Sequence, residues 1–357
     1  MRSPLRNFPT GHSSELRRDL VSGDWVVVAT GRAKRPGAFK QFESETPAPT
    51  EGCPFEDPQA AGNSDPLLVY DVEGRVLGAH DYGDWFVQVV ANKFPAFGNG
   101  QCDETHEVGP YTVLDGVGSH EVVITRDHER HWGCLAQREA CAVMKAYHER
   151  YVHLLQVSCV RYVSIFHNHG RAAGASVWHP HSQIIAIPVI PPDVGRSLDG
   201  SRRYWSENKI CVHCAMMAWE VEDKRRIVFE NEHAIAFCPF VSRTAFEVRV
   251  FPKRHEPFFE RSSDAELADT AEALRQALGQ IAQKLNAPAY NFFIHTAPST
   301  AAADYAHYHW HIEILPKTQI WAGFELGTGI EISTISPETA AAYLRGEVGD
   351  GDEPNGV

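Results

Sequence analysis

Cysteine is scarce in this chain, with 8 in 357 residues. That is too few for the disulfide framework of a secreted domain. Long hydrophobic runs are missing as well, and no apolar stretch is long enough to span a bilayer. The first residues, Met1-Arg2-Ser3-Pro4-Leu5-Arg6-Asn7, lack the apolar core of a signal peptide. These absences set the expectation of a cytoplasmic protein with no membrane partner. Positive charge is also in deficit. A count of 33 Lys and Arg against 46 Asp and Glu leaves a net charge of -13. That argues against a nucleic-acid partner, which would require a basic face. It does not exclude a local basic pocket. What remains is an ordinary globular composition, 43% hydrophobic and 22% charged. The chain is long enough for two domains or one pseudo-repeated fold. Histidine is the residue in surplus, at 19.

The most informative histidines lie in His179-Pro180-His181-Ser182-Gln183, followed by Ile184, Ile185, Ala186 and Ile187. The apolar run predicts a strand. Alternation then places His179, His181 and Gln183 on one face, with Pro180 and Ser182 on the other. Two imidazoles and an amide on one face are costly to bury without partners. Just upstream, the glycine-bearing loop Gly170-Arg171-Ala172-Ala173-Gly174-Ala175-Ser176 can turn backbone N–H groups toward a phosphate. Together these features point to phosphorus chemistry, with a histidine as nucleophile or acid/base.

Along the chain, strands are predicted over 25–30, 85–92, 119–125, 162–166, 226–230, 234–238, 245–252, 290–295 and 309–315. An amphipathic helix is predicted over about 135–156. A second helix opens at the capping box Ser263-Asp264-Ala265-Glu266 and carries the stripe Leu267, Leu274, Leu278, Ile281, Leu285. The turn Gly31-Arg32-Ala33-Lys34-Arg35-Pro36 reads alone as a solvated surface turn; in an acidic protein it also suits a phosphate grip. Prolines after Ile190 and the charged stretch 194–209 mark a break between two halves, 15–195 and 205–345. Residues 1–14 and 346–357 are expected to be disordered.

The halves read alike. Each has a cysteine-containing knuckle, strands ending in a histidine, a helix, another strand, and a strand with His-x-His. The first half supplies Cys53, His128, His179 and His181; the second supplies Cys211, Cys214, His255, His309 and His311. Matched order predicts a duplicated α+β unit with antiparallel sheets and flanking helices. Cys211, Cys214, His255 and His309 make a closed tetrahedral zinc set. In the first half Glu56 stands where a second cysteine would. Either Cys53, Glu56, His128 and His179 form a zinc site or the site has been lost. Such metals would be structural and would fix His179 beside His181.

These residues resemble the galactose-1-phosphate uridylyltransferase family of the histidine-triad superfamily, over about Glu15 to Arg345. The most specific element is His-Pro-His-x-Gln after an Asn-x-Gly loop. The resemblance implies a ping-pong reaction in which His181 attacks the α-phosphorus of UDP-glucose and becomes uridylylated. Galactose 1-phosphate then takes the nucleotidyl group. It implies that Gln183 binds the phosphoryl oxygens, and that Gly174 and Ser176 lie in the phosphate-contacting loop. Arg32, Arg35, Asn92 and Asn168 match positions lining the nucleotide pocket. Phe324 and Glu325 match a segment reaching into a partner's site, which implies a homodimer. Ser182 stands where many members have glycine, and Ala175 where a cysteine often sits. No glutamate lies between Gln183 and Arg202, so the family's iron-type site is not transferred. The Cys211/Cys214 knuckle resembles the two-zinc branch, which includes plant ADP-glucose phosphorylase. Uridine or adenine, and sugar phosphate or inorganic phosphate, therefore both stay open. A third reading is a zinc-stabilised module without catalysis. His311 is expected to be structural or vestigial, and His120 and His295 to be satisfied polar residues at strand ends. Cys102, Cys134, Cys141, Cys159 and Cys238 read as core or incidental thiols.

Overall fold

The computed structural model describes residues 14–31, 46–78, 83–102, 105–298 and 305–348. In chain order the first half forms β1 (Glu15–Arg18), β2 (Trp25–Val28), β3 (Leu68–Tyr70), β4 (Val87–Ala91), β5 (Thr105–Val108), β6 (Tyr111–Leu114) and β7 (Ser119–Thr125). It continues with α1 (Gln137–Leu154), β8 (Tyr162–His169) and β9 (His181–Ile187). There follow α2 (Pro192–Asn208), α3 (Val212–Asp223), β10 (Ile227–Glu230), β11 (Ala234–Phe237) and β12 (Val248–Pro252). The chain ends with α4 (Asp264–Leu285), β13 (Tyr290–His295), β14 (His311–Pro316), α5 (Gly323–Thr328), β15 (Glu331–Ser333) and α6 (Pro337–Leu344).

Ten strands join in one antiparallel sheet, ordered β10-β11-β12-β14-β13-β8-β9-β7-β4-β3. From the middle outward the order is symmetric: β8 matches β13, β9 matches β14, and β7 matches β12. The central pair sets Tyr290 opposite His169 and Ile294 opposite Ile165. The duplication expected from the spacing is thus a pseudo-two-fold within a continuous sheet, an α+β architecture of two histidine-triad-like halves. A smaller sheet, β1-β2-β15, ties the chain's beginning to its end.

The pleat divides the large sheet into two chemistries. Val123, Ile165, Ile184, Phe292 and Ile312 enter the main core together with α1 and α4. Helix α4 starts as expected: Ser263 Oγ accepts from Glu266 N–H at 3.3 Å, and Glu266 Oε2 accepts from Ser263 N–H at 2.8 Å. It stops at Asn286, whose φ of 58° is left-handed. Its stripe of Leu267, Leu274, Leu278, Ile281 and Leu285 is buried. Truncating such a residue to alanine costs about 2–5 kcal/mol. Gly133 lets the loop before α1 approach α4, since a Cβ there would lie 2.6 Å from Gly279 N. Arg150 on α1 clamps Glu121 on β7 through two hydrogen bonds of 2.8 and 2.6 Å, both side chains buried.

Several expectations need correction. The stretch 194–209, read as marking the break between halves, is nearly all helix α2, begun by Pro192 at its first turn. Cys102 and Cys159 are not incidental thiols, because their sulfurs are joined as a disulfide. Strand β9 begins at His181 and β14 at His311, so His179 and His309 precede their strands. The terminal segments expected to be disordered fall mostly outside the described residues. Among the described residues no helix is long and apolar enough to cross a membrane.

Candidate active site

Strand β9 presents its first residues to opposite faces. Ser182 points toward the helices, where its Oγ lies 2.5 Å from Tyr147 OH and 2.9 Å from His167 Nδ1. Trp132 Nε1–H donates to the same tyrosine at 3.2 Å. A serine thus fills this position with its hydroxyl satisfied. His181 and Gln183 point to the other face. His181 Nδ1–H donates to the His179 carbonyl at 2.8 Å, which leaves the lone pair on Nε2. The ring is only 8% exposed, with Phe55 at 5.1 Å between centroids. Burial pushes its pKa below the usual imidazole range. An imidazole held so, uncharged and with one nitrogen free, has the form that nucleophilic attack requires.

His179 turns into a neighbouring cluster with Cys53, Glu56 and His128, whose donor atoms all lie within 4.8 Å of one another. His179 Nδ1 is 3.7 Å from Cys53 Sγ and 3.2 Å from Glu56 Oε1. Its Nε2–H donates to the Thr125 carbonyl at 2.6 Å. Histidines that ligate a metal are commonly backed in this way, because the second hydrogen bond sets the tautomer.

The second cluster repeats the plan. Cys211, Cys214, His255 and His309 also converge within 4.8 Å. Cys214 Sγ lies 3.2 Å from His255 Nδ1 and 3.5 Å from His309 Nδ1. His309 Nε2–H donates to the Pro252 carbonyl at 2.9 Å, at the end of β12 as Thr125 is at the end of β7. The Cys214 thiol, hydrogen-bonded to Cys211, holds Cys211 well below a thiol's usual range and is itself pushed well above it. Two thiols and two imidazoles in this geometry suit a tetrahedral cation. Cys211 is the residue preceding α3, so the helix start carries the knuckle.

His311 repeats the bond of His181, with Nδ1 at 3.1 Å from the His309 carbonyl. Its surroundings differ. His213 packs on it at 4.9 Å between centroids, in the place Phe55 takes over His181. Two residues on, Glu313 replaces the glutamine and is held by Arg243 and Arg249. The second copy thus carries a largely buried ion network where the first has an amide. His295 joins it, 3.3 Å from Glu313.

The other expected residues divide into four groups. Asn92 and Gln183 come together through His120, whose Nε2 is 3.0 Å from Asn92 Nδ2 and 2.8 Å from Gln183 Oε1. Nothing in the local pattern ties His120 to that glutamine; the tie comes from the β7–β9 register. Asn168 accepts from Asn291 Nδ2 at 2.8 Å, and the same amide donates to Ala173 O, which pins the glycine loop. Gly174 is left-handed at φ 91°. Ser176 and Arg171 wall a cavity of about 390 Å³ with Thr46, Ala48 and Trp178. Phe324 and Glu325 lie on exposed α5, where Glu325 Oε2 accepts from Ala322 N–H at 3.0 Å. No described hydrogen bond joins either of them to the His181 group. Arg32 and Arg35 lie outside the described residues.

Fold and site together define a duplicated histidine-triad protein. Residues 86–348 match the family model described as Domain of unknown function (DUF4921). The chain is 32% identical over 339 residues to ADP-glucose phosphorylase of Arabidopsis thaliana, covering 93% of each. It is 28% identical over 341 residues to galactose-1-phosphate uridylyltransferase of Thermotoga maritima, covering 93% of this chain and 98% of that one. The crystal structure of the Arabidopsis ADP-glucose phosphorylase with bound ADP-glucose gives a TM-score of 0.78 at 31% identity, covering 94% of this chain and 100% of that one. A uridylyltransferase structure gives 0.69 at 27% identity, covering 94% of this chain and 98% of that one. The chain belongs to the galactose-1-phosphate uridylyltransferase family, whose members here are nucleotidyl-transferring enzymes.

Proposed function

We propose that this protein transfers a nucleotidyl group from a nucleoside-diphosphate sugar through His181, with ADP-glucose as donor and inorganic phosphate as acceptor. The observation that carries the chemistry is the His181 Nδ1–H bond to the His179 carbonyl at 2.8 Å, which commits Nε2 to attack. Nε2 bonds to the α-phosphorus. The bond from that phosphorus to the bridging oxygen breaks, and glucose 1-phosphate leaves with the electron pair. Phosphate oxygen then attacks the phosphorus of the nucleotidyl-histidine, giving ADP and freeing the imidazole. Gln183 and Asn92 supply amide donors on the face where the phosphoryl charge develops. Ser176, Gly174 and Asn168 shape the adjacent loop.

The choice of ADP-glucose is supported by the 32% identity and the TM-score of 0.78 to the phosphorylase. A second reading is UDP-glucose–hexose-1-phosphate uridylyltransferase in galactose metabolism, with galactose 1-phosphate as acceptor. It is supported by similarity over 98% of the Thermotoga transferase. We assign zinc to both clusters, held by Cys53, Glu56, His128 and His179 and by Cys211, Cys214, His255 and His309. Zinc there would stabilise the fold and hold His179 in place. The exposed α5 supports a homodimer in which Phe324 and Glu325 serve the partner's sugar.

The test is a donor panel. With ADP-glucose and no phosphate, mass spectrometry of peptides should find an adenylylated His181, and added phosphate should discharge it as ADP. Labelling by UDP-glucose alone would select the second reading. Turnover that survives His181→Ala would overturn both.

A further inference from the structure

We infer that His120 is a positioning residue that turns the Gln183 amide so that its NH2 group, and not its carbonyl, faces the phosphoryl group at His181. This rests on the nucleotidyl-transfer reading above.

The register creates the contact. On β7 and β9, Val122 stands opposite Gln183, so His120 is its diagonal neighbour on the same face. Asn92 follows β4, and its N–H donates to the His120 carbonyl at 2.8 Å. Three adjacent strands therefore deliver Asn92, His120 and Gln183 to one spot.

Hydrogen-bond polarity then decides the orientation. The Ala96 backbone N–H donates to His120 Nδ1 at 3.2 Å. A backbone amide nitrogen cannot accept, so Nδ1 is the acceptor and the ring proton sits on Nε2. That N–H donates to Gln183 Oε1 at 2.8 Å, and a carbonyl oxygen is an acceptor. These two contacts agree on one tautomer and one amide orientation, in which the Asn92 NH2, 3.0 Å from Nε2, makes no hydrogen bond to the ring. The Gln183 nitrogen is thereby turned away from His120. Asn92 is oriented independently: its Oδ1 accepts from Phe94 N–H at 2.8 Å, so its NH2 faces His120 Nε2 at 3.0 Å. No lone pair remains on that nitrogen to receive it.

Without His120 the terminal amide torsion is two-fold and broad. The flipped amide would set its oxygen against phosphoryl oxygens. The second half provides an internal comparison. By the register of β12 and β14, Arg249 stands opposite Glu313, as Val122 does opposite Gln183. Glu247 then takes the place of His120. The second copy has two carboxylates there, bridged by Arg249; the first copy has the histidine–amide pair.

The experiment measures single-turnover nucleotidylation of His181 by ADP-glucose, with UDP-glucose run in parallel, in a double-mutant cycle. His120→Ala should slow labelling about 10–100-fold, less than the ~10²–10³ lost with an oxyanion donor itself. Combined with Gln183→Ala, it should add nothing further, because His120 acts only through that amide. His120→Gln, which can place an N–H donor near the Nε2 position, should restore most of the rate. Additive losses in the cycle, or no effect of His120→Ala while wild type labels normally, would overturn the inference. If wild type labels with neither donor, the functional reading falls. The ring assignment is then read separately, by imidazole ¹⁵N shifts: an Nδ1–H tautomer of His120 overturns the positioning geometry, and an Nε2–H tautomer upholds it.

Discussion

Glu56 Oε1 stands 2.5 Å from His128 Nδ1, and with the ring uncharged both atoms are acceptors. His128 donates its other ring N–H to the Ala48 carbonyl at 2.8 Å. His179 does the same to Thr125 while facing the same carboxylate oxygen. Lone pairs gathered in this way repel unless a cation lies among them. We therefore expect two zinc ions per chain, with Glu56→Ala losing one of them and Cys214→Ala the other. Metal analysis of dialysed protein checks this; a single ion in wild type that survives Glu56→Ala would remove the first site.

The serine after His181 should matter for stability more than for chemistry. Ser182→Ala leaves Tyr147 OH and His167 Nδ1 short of a buried partner. The expected loss is about 1–3 kcal/mol, read as a lower denaturant midpoint. Nucleotidylation rate per folded molecule should change little, since Ser182 faces away from His181.

Acid should weaken the fold through histidines that burial keeps neutral. Burial drives His167 well below the usual imidazole value and brings His169 to about 4. The unfolded chain binds these protons near pH 6.5, so it holds more protons than the folded one between the two values. Stability is then full above about pH 6.5 and falls as pH drops toward about 4. Melting temperature against pH should show this slope, and His169→Gln should flatten it. An unchanged slope in that variant would assign the acid sensitivity to other groups.

If α5 serves a partner's site, inactive variants should complement one another. Mixing His181→Ala with Glu325→Ala under conditions of subunit exchange should regain part of the activity. A monomer in light scattering, or no recovery on mixing, counts against the shared site.

Much of the arrangement was legible before any fold was known. The His179–Gln183 motif, the two groups of Cys, His and Glu that converge in the fold, and the repeat follow from residue type and spacing. The Ser263 capping box and the α4 stripe were readable for the same kind of reason, since capping and helical periodicity act over one or two turns. By contrast, the helix over Pro192–Asn208 is not read from the sequence, where prolines and the charged stretch 194–209 mark only a break between halves. It is held as α2 by packing, with Val194 and Leu198 in a small cluster around Tyr162 and Tyr308.

By itself the sequence determined which atoms were available: two imidazoles at one strand's start, an amide two residues on, and thiols at knuckle spacing. Only the tertiary structure decided how His120 meets Gln183, and that Cys102 meets Cys159. Those outcomes depend on strand register and on which face a neighbour covers, and a one-residue slip would reverse every face. Such long-range pairings leave no periodic trace in the chain.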